Sequence, residues 1–201
     1  MKAVLFASCL ALAVLPMCKP DTAKTTTEAA AANPASPAEV RAQFDILRDS
    51  TDQRWRRMMA SDDQKLTDMR ALLDDLKKQP RLDAAQVRTL DQATARIRPQ
   101  RYDRHTMASA ELSDRYDAMQ DSVLHPLYQL AAPDGNAPTA RIRDYVEHIM
   151  QADANVVSYR AYYDAAAKAY NAYLQVHRAE LSKLGGKYAN PRPLPLFELS
   201  Q

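Results

Sequence analysis

Glycine is nearly absent from this chain: three in 201 residues, at positions 135, 185 and 186. A sheet needs turn glycines and a supply of β-branched side chains, and both are sparse, so the composition excludes a sheet-based fold in favour of long helices. No glycine-rich loop that could cradle a phosphate exists, which removes the usual nucleotide-binding motifs. Cysteine is as scarce. Cys9 and Cys18 are the only two, both before residue 20. Removal of the apolar leader that holds Cys9 leaves one thiol at most, so no internal disulfide forms and a lone Cys18 has another use or none. A dominant charge is missing too: 27 Lys and Arg against 25 Asp and Glu give a formal net charge of +2. That excludes a chain-wide basic field for nucleic acid.

Long apolar runs are also lacking. Lys2 is followed by apolar residues 3–15, which stop at Pro16. About twenty apolar residues are needed to span a bilayer, so residues 1–17 read as a signal peptide and not as a permanent transmembrane helix. Leu15-Pro16-Met17-Cys18 is similar to a bacterial lipobox, with Met17 where that motif takes a small residue. This makes Cys18 the lipid-attachment residue; Ala11-Leu12-Ala13 is the alternative cleavage site. Residues 18–38 are rich in Thr, Ala and Pro and show no apolar period. Such a stretch buries too little to fold and reads as a disordered tether, with an end-to-end distance of about 25 Å. The protein is therefore expected on the periplasmic side of a bacterial membrane, held there by an N-terminal lipid.

What is present is helical periodicity over residues 39–201. Ser36 and Pro37 form a helix start, and Val40, Phe44, Leu47, Trp55, Met58, Leu66, Met69, Leu73 and Leu76 carry an apolar stripe toward the stop at Pro80. Asp83 caps a second segment whose stripe runs from Val87 to Leu130, with Pro99 in a weakly apolar stretch where a break is expected. The loop 131–139 follows. Thr139 caps a third segment that continues through Ile142, Ile149, Val156, Tyr163 and Tyr170 to the stop at Gly185. Connected by short loops, these segments predict an all-α, elongated antiparallel bundle of three long helices, or four if the second breaks near Pro99.

Groupings that could carry chemistry are few. Five tyrosines fall between residues 159 and 173. At three-four spacing among alanines they read as packing, with Tyr162 off the line and facing outward. Asp121 with His125, and Asp144 with His148, are i,i+4 pairs equidistant from the loop near residue 134. A symmetric hairpin sets Asp121 level with His148 and His125 with Asp144. Two His and two Asp form an acceptable set for a divalent ion, although a solvated helix face is the simpler reading. Asp62 and Asp63 diverge around a helix and read as solvated carboxylates. The run Arg54-Trp55-Arg56-Arg57 and the series Arg96, Arg98, Arg101 and Arg104 could touch phosphate groups or an acidic partner, or pair with Asp52, Asp62 or Asp103. Arg56, Arg57 and Tyr162 are the candidate interaction residues. No cofactor and no catalytic residue is implied.

One stretch resembles a known family. Tyr159-Arg160-x-x-Tyr163-Asp164-x-Ala166-x-x-x-Tyr170-Asn171, then Leu181 and Leu184, a glycine break and Pro193-Leu194-Pro195-Leu196-Phe197-Glu198, resembles the closing signature of the LemA family. The match covers about a quarter of the chain. The resemblance implies a long helical bundle fixed to a membrane by its N-terminus, with no assigned activity and no catalytic residues to transfer. Together these features predict a non-enzymatic envelope protein that offers a helical surface to an unknown protein partner. An extracytoplasmic bundle sensing a small molecule or metal is the alternative.

Overall fold

The computed structural model describes residues 36–80, 82–133 and 139–197. The leader, Cys18 and the tether up to residue 35 lie outside the described residues. So do residues 134–138, at the centre of the loop.

Helix α1 spans Pro37–Leu76, 40 residues and about 60 Å of axis. Its start is a capping box: the Ser36 amide donates to Glu39 Oε2 at 2.7 Å and the Glu39 amide to Ser36 Oγ at 3.3 Å. Residues 37 and 38 thus belong to the helix and not to the tether. Helix α2 runs Ala84–Ile97 from its Asp83 cap and passes into a 3₁₀ turn, Arg98–Gln100, around Pro99. The second segment therefore breaks, and the bundle has more than three helices. Beyond Pro99 the Asp103 carboxylate accepts from the amides of His105 and Thr106 at 2.7 and 2.9 Å, a local turn that competes with helix. Ser109 then caps α3, Ala110–Ala131, which passes through Pro126 without ending. The third segment also divides, into α4, Ala140–Ala154, and α5, Val156–Leu184. Asn155 between them keeps near-helical angles and hydrogen bonds on both sides, so the two follow each other closely. Among the described residues there is no strand, and no helix is long and apolar enough to cross a membrane.

The α4–α5 run lies antiparallel along the whole of α1. Buried Lys65 reaches Asp153 at 2.9 Å; Trp55 meets Tyr163 and Phe44 meets Tyr170, with ring centroids 5.5 and 5.3 Å apart. Helices α2 and α3 cover only the C-terminal half of α1. The result is a four-helix body and a two-helix arm, not a rod of uniform section. The body's core includes Leu66, Met69, Leu73, Ile97, Leu127, Ile142 and Ile149; the arm's is Val40, Phe44, Tyr170, Leu174 and Leu181.

At the free end of the arm the chain reverses at Gly185 (φ 70, ψ −172), a conformation open to glycine alone, and Gly186 (φ 54). The tail then runs back along α5. Asn171 clamps Leu194 by donating to its carbonyl at 2.8 Å and accepting from its amide at 2.7 Å. Tyr163 Oη donates to the Pro195 carbonyl at 3.2 Å, and the Phe197 amide to Asp164 at 3.1 Å. The apolar tail therefore reaches the waist where arm meets body, while Leu199 lies outside the described residues.

Candidate functional site

Two polar regions flank the waist, one inside and one outside. The inner one centres on Asp62. Read from sequence as solvated, its side chain is only 11% exposed, because α2 and α3 close over this part of α1. It accepts from Arg101 at 2.9 Å, Tyr116 at 2.6 Å and Gln120 at 3.3 Å. Asp63 takes Arg98 and Arg101 at 2.8 and 2.9 Å, and Arg104 pairs with Asp52. Arg160 forks onto Asp117 with two bonds of 2.7 Å, donates to Tyr102 at 3.2 Å and lies over the Phe197 ring. Three arginines of the series 98–104 are thus paired with carboxylates of α1.

The electrostatics are those of a lock. Burial, then the charge of Asp62, pushes the Tyr116 hydroxyl far above its usual range. Burial pushes Tyr128 up to about 12. Burial works against the Arg160 charge, yet Asp117 and Tyr102 overcome it and raise its pKa. Tyr116, Tyr128 and Arg160 therefore keep their protons near neutral pH. A cavity of about 20 Å³ sits among Lys65, Tyr116, Gln120 and Arg160, room for about one water molecule. Gln120 Oε1 and Arg160 Nε are buried there without a partner among the described residues.

The outer region is a groove on the α1–α4–α5 seam. Arg54 and Arg57 are one turn apart on α1; Tyr159 and Tyr162 are one turn apart on α5. The Arg54 guanidinium lies 5.6 Å from the Tyr162 ring centroid, and that of Arg57 lies 5.8 Å from Tyr159. Asn155 and Ser158 complete the lining, which contains no carboxylate. Tyr162 is 54% exposed. Past Arg57 and Tyr159 the groove continues between Ser61, Gln64 and Asp68 on one side and His148 and Gln151 on the other.

Of the expected interaction residues, Arg57 and Tyr162 meet in this groove, whereas Arg56 is exposed but does not line it. Arg54, already part of the basic run, joins them. Tyr159, read as packing, is the residue that sequence reasoning missed; its i,i+3 spacing to Tyr162 was the available signal. The Asp/His set is not assembled. His148 lines the α1–α4 groove, while Asp121 lines a separate cleft with Asp117, Asp153 and Arg160. His125 pairs with Gln129 of its own helix at 3.0 Å. Symmetry about the loop sets Asp117 level with Ala152, yet Asp117 holds Arg160, about two turns further on. The register follows the packing of Leu127, Ala131, Ile142 and Ile149 in one core instead of equal distances from a turn. Among the described residues no group of three or more His, Cys, Asp or Glu side chains is placed to hold a metal ion.

None of the family models, curated proteins or solved structures compared with the chain matches it. The residues behind the LemA resemblance have clear local roles: Arg160, Tyr163, Asp164 and Asn171 all hold the tail, and Tyr159 lines the groove.

Proposed function

We propose that this chain is a non-enzymatic, membrane-tethered protein of the bacterial cell envelope, of the LemA-like type, whose helical bundle presents a surface to a protein partner. The lipid on Cys18 holds it to the membrane, and the stretch before Ser36 spaces the bundle from that surface on the periplasmic side. The observation that carries the reading is the carboxylate-free groove of Arg54, Arg57, Tyr159 and Tyr162. At the waist and along α1, several arginines are instead paired with aspartates: Arg98, Arg101, Arg104, Arg141 and Arg160. At this groove the cations meet only aromatic rings and neutral polar groups. Arginine and tyrosine on an exposed face are also the residue types that anchor protein interfaces.

Two measurements test this. Intact-mass spectrometry of the membrane-bound protein is expected to give a chain that starts at Cys18 and carries lipid; a chain that retains Met1 ends the lipoprotein reading. A photo-crosslinking residue at Tyr162 is expected to yield one reproducible product in envelope membranes. The same residue at Val176, exposed on the far part of α5, yields none. Equal labelling from both positions removes the groove as the contact surface.

A further inference from the structure

We propose that the α1–α4–α5 groove takes an extended acidic peptide segment of the partner, seated with its carboxylates on Arg54 and Arg57 and its chain continuing toward Ser61 and Gln64. This rests on the interaction reading above and names the chemistry of the partner.

Charge complementarity comes first. Two guanidinium groups, each with five N–H donors, stand at one end of the groove, and no acid lines that end. The nearest groove-lining carboxylate is Asp68, which is engaged by its own neighbour: Gln64 Nε2 donates to it at 2.9 Å. An incoming carboxylate therefore meets donors at the Arg54 end and an acceptor at the Asp68 end. This sets a direction, with the acidic side chains at the first and neutral or basic ones at the second.

Spacing comes next. Arg54 and Arg57 rise about 4.5 Å along the helix axis. Alternate side chains of an extended peptide lie on one face about 6.6 Å apart, within the play of two long arginine stems. Each arginine can then grip one carboxylate in the two-bond fork that its planar head favours. The rings beneath the guanidinium groups limit their freedom, so less is lost when they bind.

Length decides between a peptide and a small anion. From Arg54 to Asp68 the groove follows α1 for about 21 Å, enough for about six extended residues. Ser61, Gln64 and Gln151 line its middle with groups that both donate and accept, as a peptide backbone requires. A free phosphate or a lipid headgroup engages the arginine end alone and leaves those groups without a task.

The probe is a fluorescein-labelled peptide of alternating Asp and Ser, titrated by anisotropy into the detergent-purified full chain, beside a Lys–Ser counterpart. The acidic peptide is expected to bind and the basic one not. Arg54→Ala with Arg57→Ala is expected to weaken binding about tenfold or more, the effect of losing two charge-assisted contacts at a partly exposed site. Lys at both positions falls between, since charge remains without the fork. Both double variants are expected to melt as the parent does, because neither side chain is buried. Added salt weakens the complex. Equal affinity in the Ala variant, or for the Lys–Ser peptide, overturns the proposal. So does displacement of the peptide by inorganic phosphate, by phosphatidylglycerol vesicles or by an oligonucleotide at matched charge, which marks a general anion site. The two readings fail separately. A Tyr162 crosslink that survives Arg54→Ala with Arg57→Ala keeps the interaction surface and refutes the acidic segment.

Discussion

The body and the arm share α1 but are stabilised in different ways. In the body, four helices enclose an apolar core from Leu66 through Leu127 to Ile149, and a half-buried ion-pair network closes its waist end. In the arm, two helices bury one stripe each: Val40 and Phe44 against Tyr170, Leu174 and Leu181. Two helices alone leave that stripe open on its flanks, so the arm closes with aromatic and hydrogen-bonded contacts. Tyr188 meets the edge of Phe44 and donates to Asp45 at 2.8 Å; Tyr173 donates to the Val40 carbonyl at 3.2 Å; Leu194 of the tail packs against the same cluster. The arm is thus a three-layer structure whose third layer is an extended tail. Fewer enclosing contacts imply lower local stability, so the arm opens before the body.

Four measurements break or sharpen that contrast. The largest effect is expected at the network. Asp62→Ala leaves Tyr116 and Gln120 without their acceptor and Arg101 with Asp63 alone, and lowers stability by about 4 kcal/mol in urea unfolding. A loss below about 1 kcal/mol removes the network as a closure of the waist.

Next is the apolar core. Leu73→Ala in the body, at a fully buried position, costs about 3 kcal/mol and lowers the whole unfolding transition. Leu174→Ala in the arm, also buried, is expected to accelerate amide exchange across residues 40–50 and 170–184 while exchange in α3 stays slow. Uniform acceleration through both regions would make arm and body one cooperative unit.

Third is the tail clamp. Asn171→Ala removes both bonds to Leu194 and is expected to cost about 1–2 kcal/mol, with faster proteolysis of residues 187–197. Unchanged melting and proteolysis would leave the tail without a structural part in the arm.

The smallest effect concerns pH. Burial tends to raise the Asp45 carboxyl, but Tyr188, Lys187 and Arg48 outweigh it and hold its pKa below the usual value. A depressed folded pKa stabilises above the unfolded value of 3.8, and that contribution fades as pH falls through the lower folded one. Asp45→Asn is therefore expected to melt lower than the parent at neutral pH, with the gap narrowing toward about pH 3. A gap that widens in acid has the wrong sign.

Much of the fold was legible one residue at a time. The Ser36, Asp83 and Thr139 caps and the glycine stop at 185 each act within a few residues, so their signals lie side by side in the chain. The Pro99 break is of the same kind. The groove was half legible: Arg57 and Tyr162 stood out as an exposed cation and an off-line aromatic, while Tyr159 looked like its packing neighbours. Nothing local separates a ring that faces the core from one that faces a guanidinium across a seam. Asp62 misled for a related reason, since it looks solvated until the partner helices are in place.

Caps, breaks, apolar stripes and the helical class itself were settled by local chemistry, because each depends on backbone groups and side chains within about one turn. The division into body and arm, the register that pairs Asp117 with Arg160, the burial of Asp62 and the seat of the tail at the waist were settled by packing between segments far apart in the chain. Those depend on which side chains fill a shared volume, and a one-turn shift along a helix leaves every local signal unchanged while moving every partner.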